Sequence, residues 1–156
     1  MTTPQLEAVR AFLSLNDQIG TAGQPTAEQF AAIQAAGYET VMNLALSTST
    51  NALPNEAEIV TQQGMQYIHI PVSWENPQVE DALHFFEVMK ANQDKKVFVH
   101  CAANMRVSAF MFLYRTLCQK MATEKALQDL HRIWVPDQQW QAFIDQVSTQ
   151  YQENLA

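Results

Sequence analysis

Apolar residues fall along this chain in two rhythms that take turns. Runs of four to seven apolar positions alternate with stretches in which they recur every three or four residues, the signatures of buried strands and of helices packed on one face. Leu6, Val9 and Leu13 sit at helical spacing and predict a helix over 4–13. Residues 17–25 read as a short strand and turn ending Gly23-Gln24-Pro25. Thr26-Ala27-Glu28-Gln29 has the form of a capping box, opening a helix that Gly37 closes. Thr40 to Leu46 reads as a buried strand, and 47–51 as a polar loop. Pro54 to Gln63 is helical and closed by Gly64, and Met65 to Ile70 is again strand-like. Asn76 can cap, and Pro77 can occupy the first turn of, a helix running to about Gln93. The strand Lys96–His100 leads through a tight loop into a helical pattern from Val107 to Leu117. Two further helices follow, one after Thr123 and one after Pro136-Asp137.

A first helix, four strand–helix units and two closing helices predict an α/β fold in three layers: a mostly parallel sheet of four or five strands with helices on both faces. Ligands bind such sheets beyond the C-terminal strand ends, so loops 47–52, 71–76 and 101–106 are expected on one edge. With neither linker nor internal repeat, residues 1–156 read as a single domain.

Composition narrows the partners. Apolar residues make up 47% of the 156 and charged residues 16%, a globular balance. The net charge of −7 argues against nucleic acid or an anionic membrane surface. An anionic substrate would have to be attracted locally. Cys101 and Cys118 fall at opposite ends of one predicted helix, about 25 Å apart at the helical rise, too far to bridge. Two free thiols fit a reducing compartment, and Met1 to Gln5 lack the charged and apolar regions of a leader, so a cytoplasmic location is expected.

The chemistry concentrates in Val97-Phe98-Val99-His100-Cys101-Ala102-Ala103-Asn104-Met105-Arg106-Val107-Ser108. A strand stops at a thiol, and an arginine follows five positions on at the start of a helix. The amides of Ala102, Ala103, Asn104, Met105 and Arg106 can cradle an oxyanion. A cysteine in such a cradle is biased toward the nucleophilic thiolate. Asn104 suits the positive φ that a tight anion loop needs. Arg106 can fork onto two oxygens. Met105 is placed to line the pocket, His100 to orient the loop, and Ser108 to reach back toward Cys101. The plain alternative is a buried strand-end cysteine near a surface arginine. The arrangement calls for no metal or other cofactor, and metal-ligand spacings are lacking.

His100-Cys101 with Arg106 resembles the signature of cysteine-based protein phosphatases, with four residues between cysteine and arginine where five are usual. Gly23-Gln24-Pro25, and Gly37 to Leu44 ending Asn43-Leu44, are similar to the bacterial beta-lactamase hydrolase-like protein phosphatases, and the likeness runs over about residues 15–115. It implies phosphomonoester hydrolysis through a phosphocysteine on Cys101, and a general acid on the loop after the third strand, where Glu75 is the candidate and Asp81 the reserve. For Glu75, a helix-start charge is the competing role. The chain departs from that family at Ala45 and Ala102, where arginines are common, at Asn104, where glycine is, and at Val107. Two other functions stay open: a rhodanese-like sulfurtransferase, whose cysteine loop is of this shorter kind, and a non-catalytic phosphate-binding module. Trp134-Val135-Pro136-Asp137 reads as a helix start, not an acid loop. Cys118 reads as core, and His69, His84 and His131 as structural or surface residues.

Overall fold

The structure, a computed structural model, describes residues 6–155, with side chains through Glu153. Five strands form one sheet: β1 (Leu13–Ser14), β2 (Ile19–Ala22), β3 (Thr40–Asn43), β4 (Gln66–His69) and β5 (Val97–His100), in the order β1-β2-β5-β3-β4. All pairings are parallel except β1 with β2. The helices are α1 (Gln29–Ala35), α2 (Glu56–Gln62), α3 (Val79–Ala91), α4 (Met105–Leu113), α5 (Thr123–His131) and α6 (Gln138–Leu155). The predicted three-layer α/β architecture is thereby observed, with the sheet at five strands.

Side chains that alternate along the strands sort into two cores. Ala22, Val41 and Phe98 point to one face and pack with Phe30 and Ile33 of α1 and Val60 of α2. Ile19, Met42, Val97 and Val99 point to the other and pack with Phe85, Phe86, Phe110, Trp140 and Phe143 from α3, α4 and α6. Such a doubly covered sheet makes β5, the central strand, the best-enclosed platform in the molecule, and Cys101 is the residue that leaves it. Among the described residues no helix is long and apolar enough to cross a membrane.

Local signals account for several boundaries. Thr26 and Gln29 make the reciprocal capping box: the Thr26 amide donates to Gln29 Oε1 at 2.9 Å and the Gln29 amide to Thr26 Oγ1 at 3.3 Å. Gly37 and Gly64 take φ of 99° and 82° where α1 and α2 end. Asp137 starts α6 by accepting the Trp140 amide on Oδ1 at 2.8 Å, so the Trp134–Asp137 stretch is a helix start as read.

Elsewhere the structure corrects the sequence reading. Of the helix expected over 4–13, only residues 6–7 are helical among the described positions (4–5 lie outside them), and turns follow from residue 8. Ala11 takes φ 54°, which a helix cannot continue through, and Leu13 then pairs with Thr21 as β1. Asn76 and Pro77 do not start α3. The Asn76 amide donates to Ser73 Oγ at 3.1 Å, Gln78 stays extended, and the helix begins at Val79. The long helix read over 107–117 starts at Met105 and converts after Leu113 into a π-helical turn, Tyr114–Cys118.

Candidate active site

The three loops expected on one edge do meet there. Asn51 Nδ2 donates to the Ala102 carbonyl at 3.2 Å, and Arg106 Nη1 donates to the Val72 carbonyl at 2.8 Å. A pocket of about 190 Å³ opens between them, lined by Trp74, Cys101, Ala102, Ala103, Met105 and Arg106. A larger hollow of about 410 Å³, flanked by Gly37 and Gly64 at the opposite edge of the sheet, holds neither thiol nor arginine.

The direction of the loop amides follows from where its carbonyls go. In a trans peptide the C=O and the next N–H point opposite ways. The Cys101 carbonyl is turned toward His100 Nδ1, 3.2 Å away. The Ala102 carbonyl accepts the Gln24 amide at 3.2 Å as well as Asn51 Nδ2. With both oxygens engaged on the outside, the amides of Ala102 and Ala103 point the other way, toward the pocket. Gly23 permits this packing, because a Cβ there would lie 2.7 Å from the Ala102 oxygen.

Asn104 supplies the turn, with φ 66° and ψ 0°, in the left-handed region expected of it. Its Nδ2 donates to the Ala11 carbonyl at 2.9 Å and to Thr21 Oγ1 at 3.0 Å, tying the loop to the N-terminal segment and β2. The next residue opens α4, so the helix N-terminus and its positive dipole end back the pocket. Arg106 is buried in the first turn of that helix. One of its five donors is committed to Val72, and the guanidinium also lines the pocket.

Behind the thiol lies a buried polar chain. His100 is fully enclosed and places Nε2 2.5 Å from Glu56 Oε2, and Gln24 Nε2 donates to Glu56 Oε1 at 2.8 Å. Glu56 is a site residue that no local motif marks. The topology held a clue: a helix that follows a parallel strand begins on the edge where the site lies, and Glu56 is the first residue of α2.

The remaining site residues fall as follows. Trp74 forms a pocket wall and packs at a tilt against both Trp134 and Trp140, with ring centroids 5.4 and 5.5 Å away. Its carbonyl accepts Trp140 Nε1 at 3.1 Å, and Gln139 Nε2 donates to the Glu75 carbonyl. Glu75 is exposed beside this wall, so no carboxylate is among the residues lining the pocket. Asp81 lies half-buried in the first turn of α3, and burial is the main cause that raises its carboxyl above the usual carboxylate range. The Ser108 hydroxyl does not serve Cys101 as anticipated. It donates to the Met105 carbonyl at 2.9 Å and accepts Trp134 Nε1 at 3.0 Å, bracing the helix start. Cys101 and Cys118 are both unbridged, and Cys118 Sγ lies 3.6 Å from the Tyr151 hydroxyl.

A buried thiol at the end of a central parallel strand, inward amides, a left-handed turn and an arginine at a helix start define the cysteine-based phosphatase class. The family described as "DSP-PTPase phosphatase fused to NAD+ Kinase" matches residues 18–150, and the chain belongs to it. The resemblance to cysteine-based phosphatases therefore holds, whereas the narrower beta-lactamase hydrolase-like label is not the one that matches. A DUF442 protein from Shewanella putrefaciens CN-32 that carries a phosphatase name is 37% identical, with a TM-score of 0.84 over 95% of this chain and 97% of its own. Tk-PTP in its active form is 17% identical and superposes with a TM-score of 0.75 over 88% of this chain and 95% of that one. The PP-IP phosphatase SIW14 of S. cerevisiae, in complex with citrate, is 15% identical with a TM-score of 0.71 over 94% and 93%. The last two establish the fold alone. No curated protein matches the chain.

Proposed function

We propose that this phosphatase hydrolyses phosphomonoesters at Cys101 through a covalent phosphocysteine. The observation that carries the reading is the loop itself: outward carbonyls at Cys101 and Ala102, inward amides, and Arg106 closing the far side. The Cys101 thiolate attacks phosphorus, an S–P bond forms, and the P–O bond to the leaving group breaks with its electron pair on oxygen. The amides and Arg106 hold the three equatorial oxygens, whose charge they offset in a dry site. Glu75, on the loop beside Trp74, gives a proton to the leaving oxygen, and Asp81 is the second candidate. Water then attacks phosphorus and gives its proton back to the acid carboxylate, the S–P bond breaks, and phosphate leaves with the thiolate restored.

The walls suggest the substrate. Trp74 and Met105 are apolar, and Arg106 is the one cation among the lining residues, Ala45 and Ala102 standing where the resembling family carries arginines. Such a pocket takes one phosphoryl group on a flat or apolar stem more readily than a polyphosphate. The two unbridged thiols favour a reducing compartment, in keeping with a cytoplasmic site of action.

Turnover of p-nitrophenyl phosphate by the full chain tests the reading, beside a Cys101→Ser control and a thiosulfate:cyanide assay. Cysteine-dependent phosphate release supports it. Sulfur transfer to cyanide without phosphate release would replace it with the sulfurtransferase function. Tight phosphate binding without turnover would leave a binding module.

A further inference from the structure

The buried residues Gln24, Glu56 and His100 lie in a row behind the nucleophile, and His100 touches the cradle through the Cys101 carbonyl. The Cys101 carbonyl can only accept, so His100 Nδ1, 3.2 Å from it, carries a proton. His100 Nε2 and Glu56 Oε2 approach to 2.5 Å, a distance that requires one proton between them, since two facing lone pairs would repel. The pair is thus imidazolium with carboxylate, or imidazole with carboxylic acid, and has zero net charge in either form. Gln24 Nε2, donating to Glu56 Oε1 at 2.8 Å, stabilises charge on the carboxylate and so favours the first form. In that form the positive member is the one next to Cys101.

Few other charges face this pair. Phe30 of α1 meets the His100 ring edge-on at 6.2 Å, and the strands flanking His100 offer Ala22 and Asn43. Asn43 Nδ2 donates to the Tyr67 hydroxyl of β4 at 3.1 Å. The Tyr67 hydroxyl is raised above its ordinary value, chiefly by burial and in part by the charge of Glu56, and is neutral at physiological pH. From α4, Arg106 lines the same pocket as Cys101. Glu56, Tyr67 and Arg106 are therefore the ionisable neighbours of His100 and Cys101 on these elements.

We propose that Gln24, Glu56 and His100 form a positioning relay for the nucleophile. Glu56 keeps His100 doubly protonated, and His100 then turns the Cys101 carbonyl out of the cradle and sets a positive group behind the thiolate. The relay sets the positive end of a neutral pair behind a pocket lined by one cation, in a chain with alanine at 45 and 102. This proposal rests on Cys101 being the nucleophile.

Glu56→Gln separates charge from geometry. The amide can donate to Nε2 of a neutral His100 and still accept from Gln24, so the contacts survive and the extra proton does not. The readout is the pH dependence of Cys101 alkylation by iodoacetamide, which reports thiolate formation whether or not the protein turns over substrate. The expected result is a midpoint displaced upward by about one pH unit, or about a tenfold slower alkylation below it. KM for p-nitrophenyl phosphate is expected to change less than about threefold, because the cradle keeps its shape. His100→Asn is expected to give the same displacement, and the double variant no more than either alone. A folded Glu56→Gln protein with the parental midpoint would overturn the relay. Should that variant not fold, nitrogen-15 NMR of the parent protein decides: protons on both ring nitrogens of His100 are expected, and an unprotonated Nε2 or Nδ1 contradicts the relay. Phosphate release unaffected by Cys101→Ser would instead remove the nucleophile reading, an outcome the alkylation midpoint does not depend on.

Discussion

Arg106 Nη1 donates to the Val72 carbonyl at 2.8 Å, so a residue that lines the Cys101 pocket also holds the loop after β4 against α4. A single guanidinium can do both because its donors diverge in a rigid plane. Lysine cannot: its ammonium would either follow Val72 or turn to the substrate. Arg106→Lys is expected to lower kcat/KM for p-nitrophenyl phosphate by about 100- to 1,000-fold, the range seen when one oxyanion donor is lost. A steady-state assay that finds less than about a threefold loss would remove Arg106 from the site.

Asn104 combines a left-handed backbone with two side-chain hydrogen bonds, and substitution can separate them. Asn104→Gly keeps the turn and forfeits the contacts to Ala11 and Thr21, at a cost of about 1–3 kcal/mol. Asn104→Val forfeits both, adds about 1–2 kcal/mol of backbone strain and displaces the cradle. Urea unfolding should rank the parent above the glycine variant and the glycine variant above the valine one. Measurable turnover is expected only from the first two.

The loop that bears Glu75 is fastened from α6. Trp140 Nε1 holds the Trp74 carbonyl at 3.1 Å, and the three indoles pack together, each aromatic pair contributing about 0.5–1.5 kcal/mol beyond burial. Trp140→Phe keeps most of the packing and removes the donor. Calorimetry should show a loss of about 1 kcal/mol. With Glu75 as the acid, kcat should fall while KM stays nearly constant, since the phosphate cradle is untouched.

Asp81 binds its proton more tightly in the folded chain than in the unfolded one, mainly through burial and partly through the charge of Glu80, with the Gln78 backbone and His84 opposing. The folded state therefore holds more protons, and the Asp81 contribution to stability declines as pH climbs from the ordinary carboxylate range through the raised value. Asp81→Asn removes this decline. Thermal melts at pH 4 and pH 7 are expected to show the variant gaining on the parent at the higher pH. Equal changes in both proteins would contradict the assigned environment.

Much of this was legible in the residues. Four of the five strands were legible: β2, β3 and β5 are buried throughout, and β4, an edge strand with exposed ends, follows the Gly64 that closes α2. Thr26, Gln29, Gly37 and Asn104 announced their local conformations by chemistry that operates over a few residues. What stayed hidden depends on distant partners. β1 has two residues and exists because Thr21 and Asn104 fasten Leu13 and Ala11, so its own sequence mimics a helix. The start of α3 moved because α6, some 60 residues on, holds the loop ahead of it by the carbonyls of Trp74 and Glu75. Glu56 looked like an ordinary charge at a helix start until the fold brought it to His100, and Ser108 found Trp134 instead of Cys101.

In the proposed reaction Cys101 carries the phosphoryl group. Rapid acid quench of the protein during turnover of p-nitrophenyl phosphate, followed by peptide mass analysis, tests it directly. A phosphoryl group is expected on the Cys101 peptide of the parent and on no other, with neither adduct nor turnover in Cys101→Ser. Sustained phosphate release by Cys101→Ser, or an adduct on a different residue, would contradict it.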